Sequence, residues 1–330
     1  MNPRFFCLIV LSFLLACTDQ SKPKSGESAV KGPLEELSRQ IKEHPGDAEL
    51  FFQRSSEYRK LKNDPLALAD LYKAISLDSG KSYYFSSIAD ILFEHKDING
   101  SVQWIQKAIA RNPEDAQAHL KIARLFLFTG EYPKAFNSIN TVLRSDVYNA
   151  EAYFLKGMCY KNMGDTNKSI GSFQTAVQTN PDYKDAHMQL ALIYSARKNA
   201  LALRYFENAY SCDSSDLEPL YGAAMFWQNQ EKFDEAKKVF RRIILINPQY
   251  EKSYYNTGWM LLQEDSVEKA LRHFAMAIQV KQDYTEAWYN RGLCYEILGK
   301  ADSARNDYQQ ALVFYPEFIP AQKSLQRIKK

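Results

Sequence analysis

Positions that are always small and positions that are always large and apolar recur with a period of 34 residues through most of this 330-residue chain. Counting each unit from Ala48 onward, position 8 is small: Ser55, Ala89, Ala123, Gly157, Ala191, Ala224, Gly258 and Gly292. Position 20 is also small: Ala67, Ser101, Ala135, Ser169, Ala202, Ala236, Ala270 and Ala304. Position 24 is large and apolar: Leu71, Ile105, Ile139, Phe173, Phe206, Phe240, Phe274 and Tyr308. A period of this length is typical of arrays in which each unit buries its apolar face against its neighbours.

The units fill residues 48–318 without a gap. They are 48–81, 82–115, 116–149, 150–183, 184–216, 217–250, 251–284 and 285–318. The fifth has 33 residues, because it lacks one in the turn around Lys198 and Asn199. Small residues at positions 8 and 20 predict two helices per unit that cross closely there, with the large residue at 24 filling the space beside them. Proline at position 32 of four units would stop the second helix.

The last unit carries the most telling pattern. It contains Trp288, Gly292, Tyr295, Ala304, Tyr308, Ala311 and Pro316. This spacing resembles the tetratricopeptide repeat. The resemblance implies an all-α, right-handed superhelical solenoid of eight tandem repeats, with a concave groove built from the first helices. Residues 34–47 match half a repeat and 319–330 begin another, so we expect both to form capping helices.

The N-terminus has the pattern of an export signal. Residues 1–16 contain a basic start and an 11-residue, largely apolar stretch from Phe5 to Leu15. That stretch is shorter than the about 20 residues needed to span a bilayer, but it suits a signal peptide. The following Leu14-Leu15-Ala16-Cys17 resembles a bacterial lipobox, which implies cleavage before a lipidated Cys17. A plain signal peptide or an unprocessed segment is the alternative. Residues 17–33 then predict a flexible tether.

The lipobox resemblance also implies a location. Export and lipidation would place the chain in the bacterial cell envelope, anchored in a membrane and facing the periplasm. Thr18 differs from the Asp that enterobacteria use to retain lipoproteins in the inner membrane, and we therefore favour the outer membrane. Inner-membrane placement and surface exposure stay open.

Positions 5 and 9 of the first helix line the groove in the tetratricopeptide family. In repeats 4 to 8 all ten are aromatic, Met or Leu: Phe154, Met158, Met188, Leu192, Tyr221, Met225, Tyr255, Trp259, Tyr289 and Leu293. An exposed strip of this kind predicts a partner-binding groove. The alternative is packing against the first helix of the next repeat. Asn256 and Asn290 at position 6 could hold an extended peptide backbone, or simply face solvent.

Position 2 is acidic in five repeats: Glu49, Glu151, Asp185, Glu218 and Glu286. An acidic rim would select neutral or basic partners, whereas the alternative is that these residues complement the helix dipole. The basic clamp that some repeats of this family use for chaperone tails is missing. The motifs Asp265-Ser266-Val267 and Asp302-Ser303-Ala304 resemble O-glycosylation acceptors, and helix capping is their alternative explanation.

Sequence patterns of catalysis are lacking. The chain contains no nucleotide-binding loop, and its five histidines are scattered, so we predict no catalytic residue, metal or cofactor. With 42 Lys and Arg against 39 Asp and Glu, nucleic acid is not an expected partner. Cys159 and Cys294 share one helical position and are expected in the core.

These observations predict a membrane-anchored scaffold that binds other envelope proteins or extended peptide segments in an apolar groove. One alternative is a carrier of an apolar small molecule or acyl chain, which would need a closed tunnel. A glycan-processing enzyme would need carboxylates in the groove, where Asp90 is the single acid at positions 5 and 9.

Overall fold

The computed structural model of the protein describes residues 32–328, and all regular secondary structure in that range is helical. The predicted all-α class of tandem helix pairs is confirmed. The predicted signal segment, the lipidation site Cys17, most of the tether and the last two residues lie outside the described residues. None of the helices in residues 32–328 is long and apolar enough to cross a membrane.

The chain divides into two compact units, of which the first ends at Ser79. Its helices are α1 (Pro33–Glu43), α2 (Ala48–Lys60) and α3 (Asp64–Leu77). Helix α1 begins at Pro33, one residue before the predicted cap, because the fixed backbone angle of proline suits the first turn of a helix. The guanidinium of Arg54 joins α2 to α3 by two hydrogen bonds to Asp70, at 2.7 and 2.8 Å.

The second unit runs from Gly80 onward and contains seven helix pairs and a final helix in its described part. The pairs are α4 (Ser82–Glu94) and α5 (Ile98–Arg111), α6 (Ala116–Phe128) and α7 (Tyr132–Ser145), α8 (Ala150–Asn162) and α9 (Thr166–Thr179), α10 (Lys184–Ala196) and α11 (Leu201–Cys212), α12 (Glu218–Gln228) and α13 (Phe233–Ile246), α14 (Glu251–Gln263) and α15 (Val267–Val280), and α16 (Thr285–Ile297) and α17 (Ala301–Phe314). The final helix is α18 (Ile319–Ile328). Each helix packs on the next, so the apolar core is a continuous layer between first and second helices.

The residues at positions 8, 20 and 24 are buried in every repeat, as the sequence predicts. Glycine at position 8 lies directly against the ring at position 24. A Cβ atom added to Gly157 or Gly292 would lie 2.6 Å from the ring of Phe173 or Tyr308. The two helices of these repeats therefore approach so closely that the position must lack a side chain.

A recurring hydrogen bond joins successive repeats. In four places the side chain at position 4 contacts the carbonyl oxygen of position 32 in the preceding repeat. The pairs are His119 Nε2 with Pro113 at 2.9 Å, His187 Nε2 with Pro181 at 2.8 Å, Trp288 Nε1 with Gln282 at 2.7 Å and Gln322 Nε2 with Pro316 at 2.8 Å. These carbonyl groups lie in the turn two residues after a helix has ended, outside its hydrogen bonds, and the side chains satisfy them from the next repeat.

Candidate partner-binding face

The ten predicted groove residues lie on the first helices α8, α10, α12, α14 and α16. Nine of the ten are half-buried, and Leu192 is the exposed member at 46%. These side chains therefore pack into the array with one part and leave another part at its surface. The neighbouring side chains that cover them differ between positions 5 and 9.

Each aromatic residue at position 5 packs on the second helix of its own repeat. Its partner is the large residue at position 24. The ring pairs are Phe154–Phe173 at 5.6 Å, Tyr221–Phe240 at 6.0 Å, Tyr255–Phe274 at 5.8 Å and Tyr289–Tyr308 at 5.6 Å between centroids. The contact anticipated from the sequence, with the first helix of the next repeat, is present as well: the hydroxyl groups of Tyr221 and Tyr255 reach that helix, as described below.

A second aromatic partner comes from position 34, which the sequence analysis did not single out. The ring pairs are Phe154–Tyr183 at 5.3 Å, Tyr221–Tyr250 at 5.9 Å, Tyr255–Tyr284 at 4.9 Å and Tyr289–Phe318 at 5.5 Å. The sequence contained a signal for this contact, because position 34 is aromatic in repeats 4, 6, 7 and 8, which also have an aromatic residue at position 5. Each position-5 ring is thus held between two others, in geometries that aromatic pairs favour.

Position 34 is also the N-cap of the following helix. In repeats 2 and 3 it is Asp115 or Asn149, whose side chains accept hydrogen bonds from the next helix at 3.0 and 2.9 Å. Tyr183, Tyr250 and Tyr284 occupy the same place and make no side-chain cap. These repeats therefore carry an aromatic contact where others carry a helix cap.

Asparagine side chains join the first helices of repeats 6 to 8. Asn256 Nδ2 donates to the hydroxyl of Tyr221 at 3.4 Å, and Asn290 Nδ2 donates to that of Tyr255 at 3.1 Å. Each amide also donates to a carbonyl of its own helix, at 2.8 and 2.9 Å. Asn256 is 7% exposed and does not face solvent. We call Tyr221, Tyr255 and Tyr289 the tyrosine row.

The hydroxyl groups around this row stay protonated. Burial raises the pKa of Tyr255, and the nearby charge of Glu286 raises it further. Burial likewise raises the pKa of Tyr284. Burial and a 2.9 Å hydrogen bond to Glu218 raise the pKa of Tyr250. These phenols therefore remain hydrogen-bond donors at neutral pH.

At position 9, the indole of Trp259 lies edge-on to Phe233, with centroids 6.0 Å apart and planes at 82°. Both rings line an open hollow of about 440 Å³, together with Gln228, Asn229, Glu231 and Gln263. Within residues 32–328, Trp259 Nε1 has no acceptor and the buried Gln228 Oε1 has no donor. Gln228 Nε2 reaches Asn256 Oδ1 at 3.4 Å, so the hollow is continuous with the hydrogen bonds of the tyrosine row.

Ion pairs occupy the same face in repeats 2 to 4. Lys121 Nζ lies 2.6 Å from Asp90 Oδ2, which joins α6 to α4. Arg124 pairs with Glu151 and joins α6 to α8. We call these four residues the charged stretch. Asp90, the single acid at groove positions 5 and 9, is therefore neutralised by a lysine.

The acidic residues at position 2 differ in their surroundings. Glu218 accepts from Tyr250 and lies 3.5 Å from Lys252 Nζ, Glu151 pairs with Arg124, and Glu286 is exposed. All five lie in the first turn of a helix, where the dipole favours a negative charge.

Helix capping does not explain the two Asp-Ser motifs. Ser266 is the N-cap residue of α15 but makes no side-chain cap, and the N-cap of α17 is Lys300. Cys159 and Cys294 are buried in the core as predicted, and burial raises the pKa of their thiols to about 11 and about 12.

The architecture and these interfaces define a tandem helical-repeat protein. The sequence model of the tetratricopeptide repeat matches residues 150–183 and 285–318, which are the spans of the fourth and eighth predicted repeats. The chain is a tetratricopeptide-repeat protein.

Sequence relatives match the chain at low identity. The chain is 21% identical over 232 residues to a DnaJ homolog subfamily C member 7 homolog of Dictyostelium discoideum, covering 70% of this chain and 40% of the relative. It is 23% identical over 218 residues to human protein O-mannosyl-transferase TMTC1, covering 64% of this chain and 25% of that protein. The chain thus spans less than half the length of either relative.

A solved structure shows the same fold. The C-terminal part of a repeat-containing protein from Cytophaga hutchinsonii aligns with a TM-score of 0.61 at 16% identity. The alignment covers 72% of this chain and 98% of that one. At this identity the likeness concerns the fold alone.

Proposed function

We propose that this protein is an interaction scaffold that binds extended segments of partner proteins along the first helices of repeats 4 to 8. Its repeat family binds peptide segments of partner proteins. The observation that carries the proposal is the half-buried aromatic face around the tyrosine row. Rings fixed on two sides give a rigid apolar surface, and this lowers the entropic cost of binding.

The proposed place of action is the bacterial envelope. The lipobox-like Leu14-Leu15-Ala16-Cys17 supports cleavage and lipidation at Cys17, and residues 18–33 supply a tether. A multiply acylated cysteine anchors a protein stably, whereas one chain is marginal. The scaffold would face the periplasm, preferably from the outer membrane, and its partners would be other envelope proteins.

An open face suits this proposal better than a lipid-carrying tunnel. A cavity of about 530 Å³ beside α9, α10 and α11 is lined mainly by polar groups, among them Gln174, Asp182, Arg204 and Asn208. The hollow at Trp259 also carries amides and a carboxylate. Acyl chains require apolar walls. We assign no catalytic role to the face, since Asp90 is paired with Lys121.

Affinity capture from detergent-solubilised envelopes tests the binding face. The bait would be the full chain, compared with a Tyr255→Lys/Tyr289→Lys variant whose fold is checked by circular dichroism. A Tyr148→Lys/Leu245→Lys variant is the matched control, because it adds the same two charges at side chains that are 77% and 74% exposed, in a turn and on the second helix α13. We expect a partner protein that the wild type and the control retain and the first variant loses. Equal recovery of that partner by all three proteins would show that this face does not bind it.

Membrane fractionation tests the anchor. Cys17→Ser should move the protein from the membrane pellet to the soluble fraction, because no thiol remains for acylation. Cys212→Ser, in α11, is the control and should stay in the pellet. If the Cys17→Ser protein remains in the pellet, the proposed anchor is wrong.

A further inference from the structure

The hydroxyl groups of the tyrosine row are arranged to donate hydrogen bonds to a ligand. A hydroxyl has one hydrogen to donate and two lone pairs to accept with. Tyr221 and Tyr255 each accept from an asparagine amide, and neither has an acceptor for its own hydrogen in residues 32–328. The indole N–H of Trp259 is a third donor of this kind. The face therefore offers donors to a ligand that carries acceptors.

The spacing of these donors distinguishes between backbone conformations. The asparagine bonds show that neighbouring first helices touch, and packed helices lie about 8–10 Å apart. A polyproline II helix presents the same side every three residues, or about 9 Å. A β-strand repeats its face at about 7 Å, and an α-helix uses its carbonyl groups internally. A polyproline II backbone therefore matches the row, and its prolines carry acceptors without N–H donors.

The aromatic walls suit proline for a second reason. Phe233 and Trp259 meet nearly at right angles at the hollow, and the tyrosine rings are held in place by their partners at positions 24 and 34. Aromatic-lined grooves bind proline-rich segments because the polyproline II helix is preformed and loses little entropy. The structure thus combines flat apolar walls with fixed donors.

The charges beside the row indicate a basic ligand. Glu251 and Glu286 lie close enough to raise the pKa of Tyr284, and neither carboxylate has an ion-pair partner within 4.0 Å in the described part of the chain. Two lysines lie beside the same rings: Lys252 Nζ is 5.2 Å from the Tyr221 ring centroid and 3.5 Å from Glu218, and Lys281 Nζ is 5.6 Å from the Tyr284 ring centroid. The three carboxylates exceed these two amines, and a segment carrying lysine or arginine would complement the excess negative charge.

We propose that the tyrosine row and the Trp259 hollow select a proline-rich segment in the polyproline II conformation that carries lysine or arginine. This inference rests on the proposed function and adds the chemistry of the partner. Tyr221 and Tyr255 would donate to carbonyl oxygens one turn apart, and Trp259 would donate from the hollow. Glu251 and Glu286 would receive the basic side chains.

Calorimetric titration of the full chain with synthetic peptides tests the inference. The first peptide has roughly ten prolines, about three turns, between lysine pairs. The second replaces the prolines by Ser-Gly repeats, and the third replaces the lysines by glutamates. We expect the first to bind roughly ten-fold more tightly than the second, because its backbone is preorganised. Equal affinity of the first two peptides would overturn the polyproline II assignment. The third should bind more weakly than the first, and equal affinity there would overturn the basic character.

Substitutions that remove a donor test its role. Tyr255→Phe removes one hydroxyl and should weaken binding of the first peptide about two- to ten-fold. Trp259→Phe removes the indole N–H together with part of the ring, and should weaken binding at least as much. Tyr148→Phe, in an exposed turn, is the matched control and should bind as the wild type does. Unchanged affinity of the Tyr255→Phe protein would overturn the donor role of the row.

The result is separable from the test of the proposed function. If the proline peptide shows no preference while the Tyr255→Lys/Tyr289→Lys variant still loses its captured partner, the scaffold stands and the proline-rich assignment falls. If that variant also retains the partner, the proposed face falls as well.

Discussion

The charged stretch of repeats 2 to 4 and the tyrosine row of repeats 6 to 8 join neighbouring first helices by different chemistry. The charged stretch uses the ion pairs Lys121–Asp90 and Arg124–Glu151. The tyrosine row uses hydrogen bonds from Asn256 and Asn290 to tyrosine hydroxyls. The same mechanical task is therefore performed by opposite charges in one region and by neutral groups in the other.

This difference determines what each region can offer to a partner. An ion pair satisfies both of its members, so a ligand at the charged stretch would have to compete with an existing contact. An asparagine–tyrosine bond uses a lone pair of the hydroxyl and leaves its hydrogen available. The tyrosine row can therefore hold its helices together and bind a ligand at the same time.

Alkaline pH should lower the stability of the protein through the phenols around the tyrosine row. Burial raises the pKa values of Tyr250, Tyr255 and Tyr284. In the unfolded chain these phenols ionise near pH 10, and each unit of pKa difference corresponds to about 1.4 kcal/mol. Their contribution to stability is complete below about pH 10 and is lost as the pH rises above it toward their pKa values in the folded chain.

Thermal unfolding at pH 8 to 12 checks this expectation. The unfolding temperature should fall steeply above pH 10, and Tyr284→Phe should make the fall shallower because one titrating group is removed. Tyr148→Phe, in the exposed turn, should follow the wild-type curve. A flat profile through pH 11 would show that the rings around the row are not held as described.

Gly292→Leu should cause the next largest loss of unfolding free energy. The added side chain would collide with Tyr308, and overpacking of this kind costs about 1–3 kcal/mol of unfolding free energy. In repeats 2 and 3 the same position is occupied by Ala89 and Ala123, so the helix crossings there accommodate a methyl group. Gly171→Leu, on the open side of α9 where a Cβ meets nothing within 4 Å, is the control. Chemical denaturation should show a loss in the first variant alone, and equal stability of both would mean that the helix crossing is misplaced.

Asn256→Ala tests the hydrogen bond that joins α14 to α12. The change removes bonds to Tyr221 and to the carbonyl of Lys252 from a buried site, and should cost about 1–2 kcal/mol. Ser87→Ala is the matched change in repeat 2, since Ser87 occupies the same position and bonds only within its own helix, to Tyr83 at 2.9 Å. We expect that control to stay within about 0.5 kcal/mol of the wild type in denaturant titrations. Equal losses would show that Asn256 does not join two helices.

Lys121→Met should cause the smallest loss of unfolding free energy. Its ion pair with Asp90 leaves both side chains partly exposed, at 33% and 41%, so the expected loss is about 0.2–1 kcal/mol. Raising the ionic strength to about 1 M should abolish that loss by screening, whereas the loss in Asn256→Ala should persist. Denaturation of both variants at low and high salt provides the comparison. A salt-independent loss in Lys121→Met would point to packing by its methylene groups.

Much of the candidate face was predictable from the repeat register, but its contacts were not. The register placed Tyr221, Tyr255 and Tyr289 on equivalent faces of first helices, because equal positions in a regular repeat have equal surroundings. It did not show that the ring at position 34 packs on the ring at position 5, since the register does not give the distance between that turn and the first helix of the same repeat. It also left Asn256 as either a peptide clamp or a solvent-facing residue, and the structure shows it buried between two helices.

The amino-acid sequence alone determined the helix pairs and the buried columns at positions 8, 20 and 24. These follow from the size and polarity of side chains at fixed intervals, which limit how two helices can cross. The tertiary structure decided which neighbour each half-buried side chain contacts: position 24 and position 34 for the tyrosine rings, and a hydroxyl one repeat away for Asn256 and Asn290. Such choices depend on the distance and tilt between helices, which no single repeat contains.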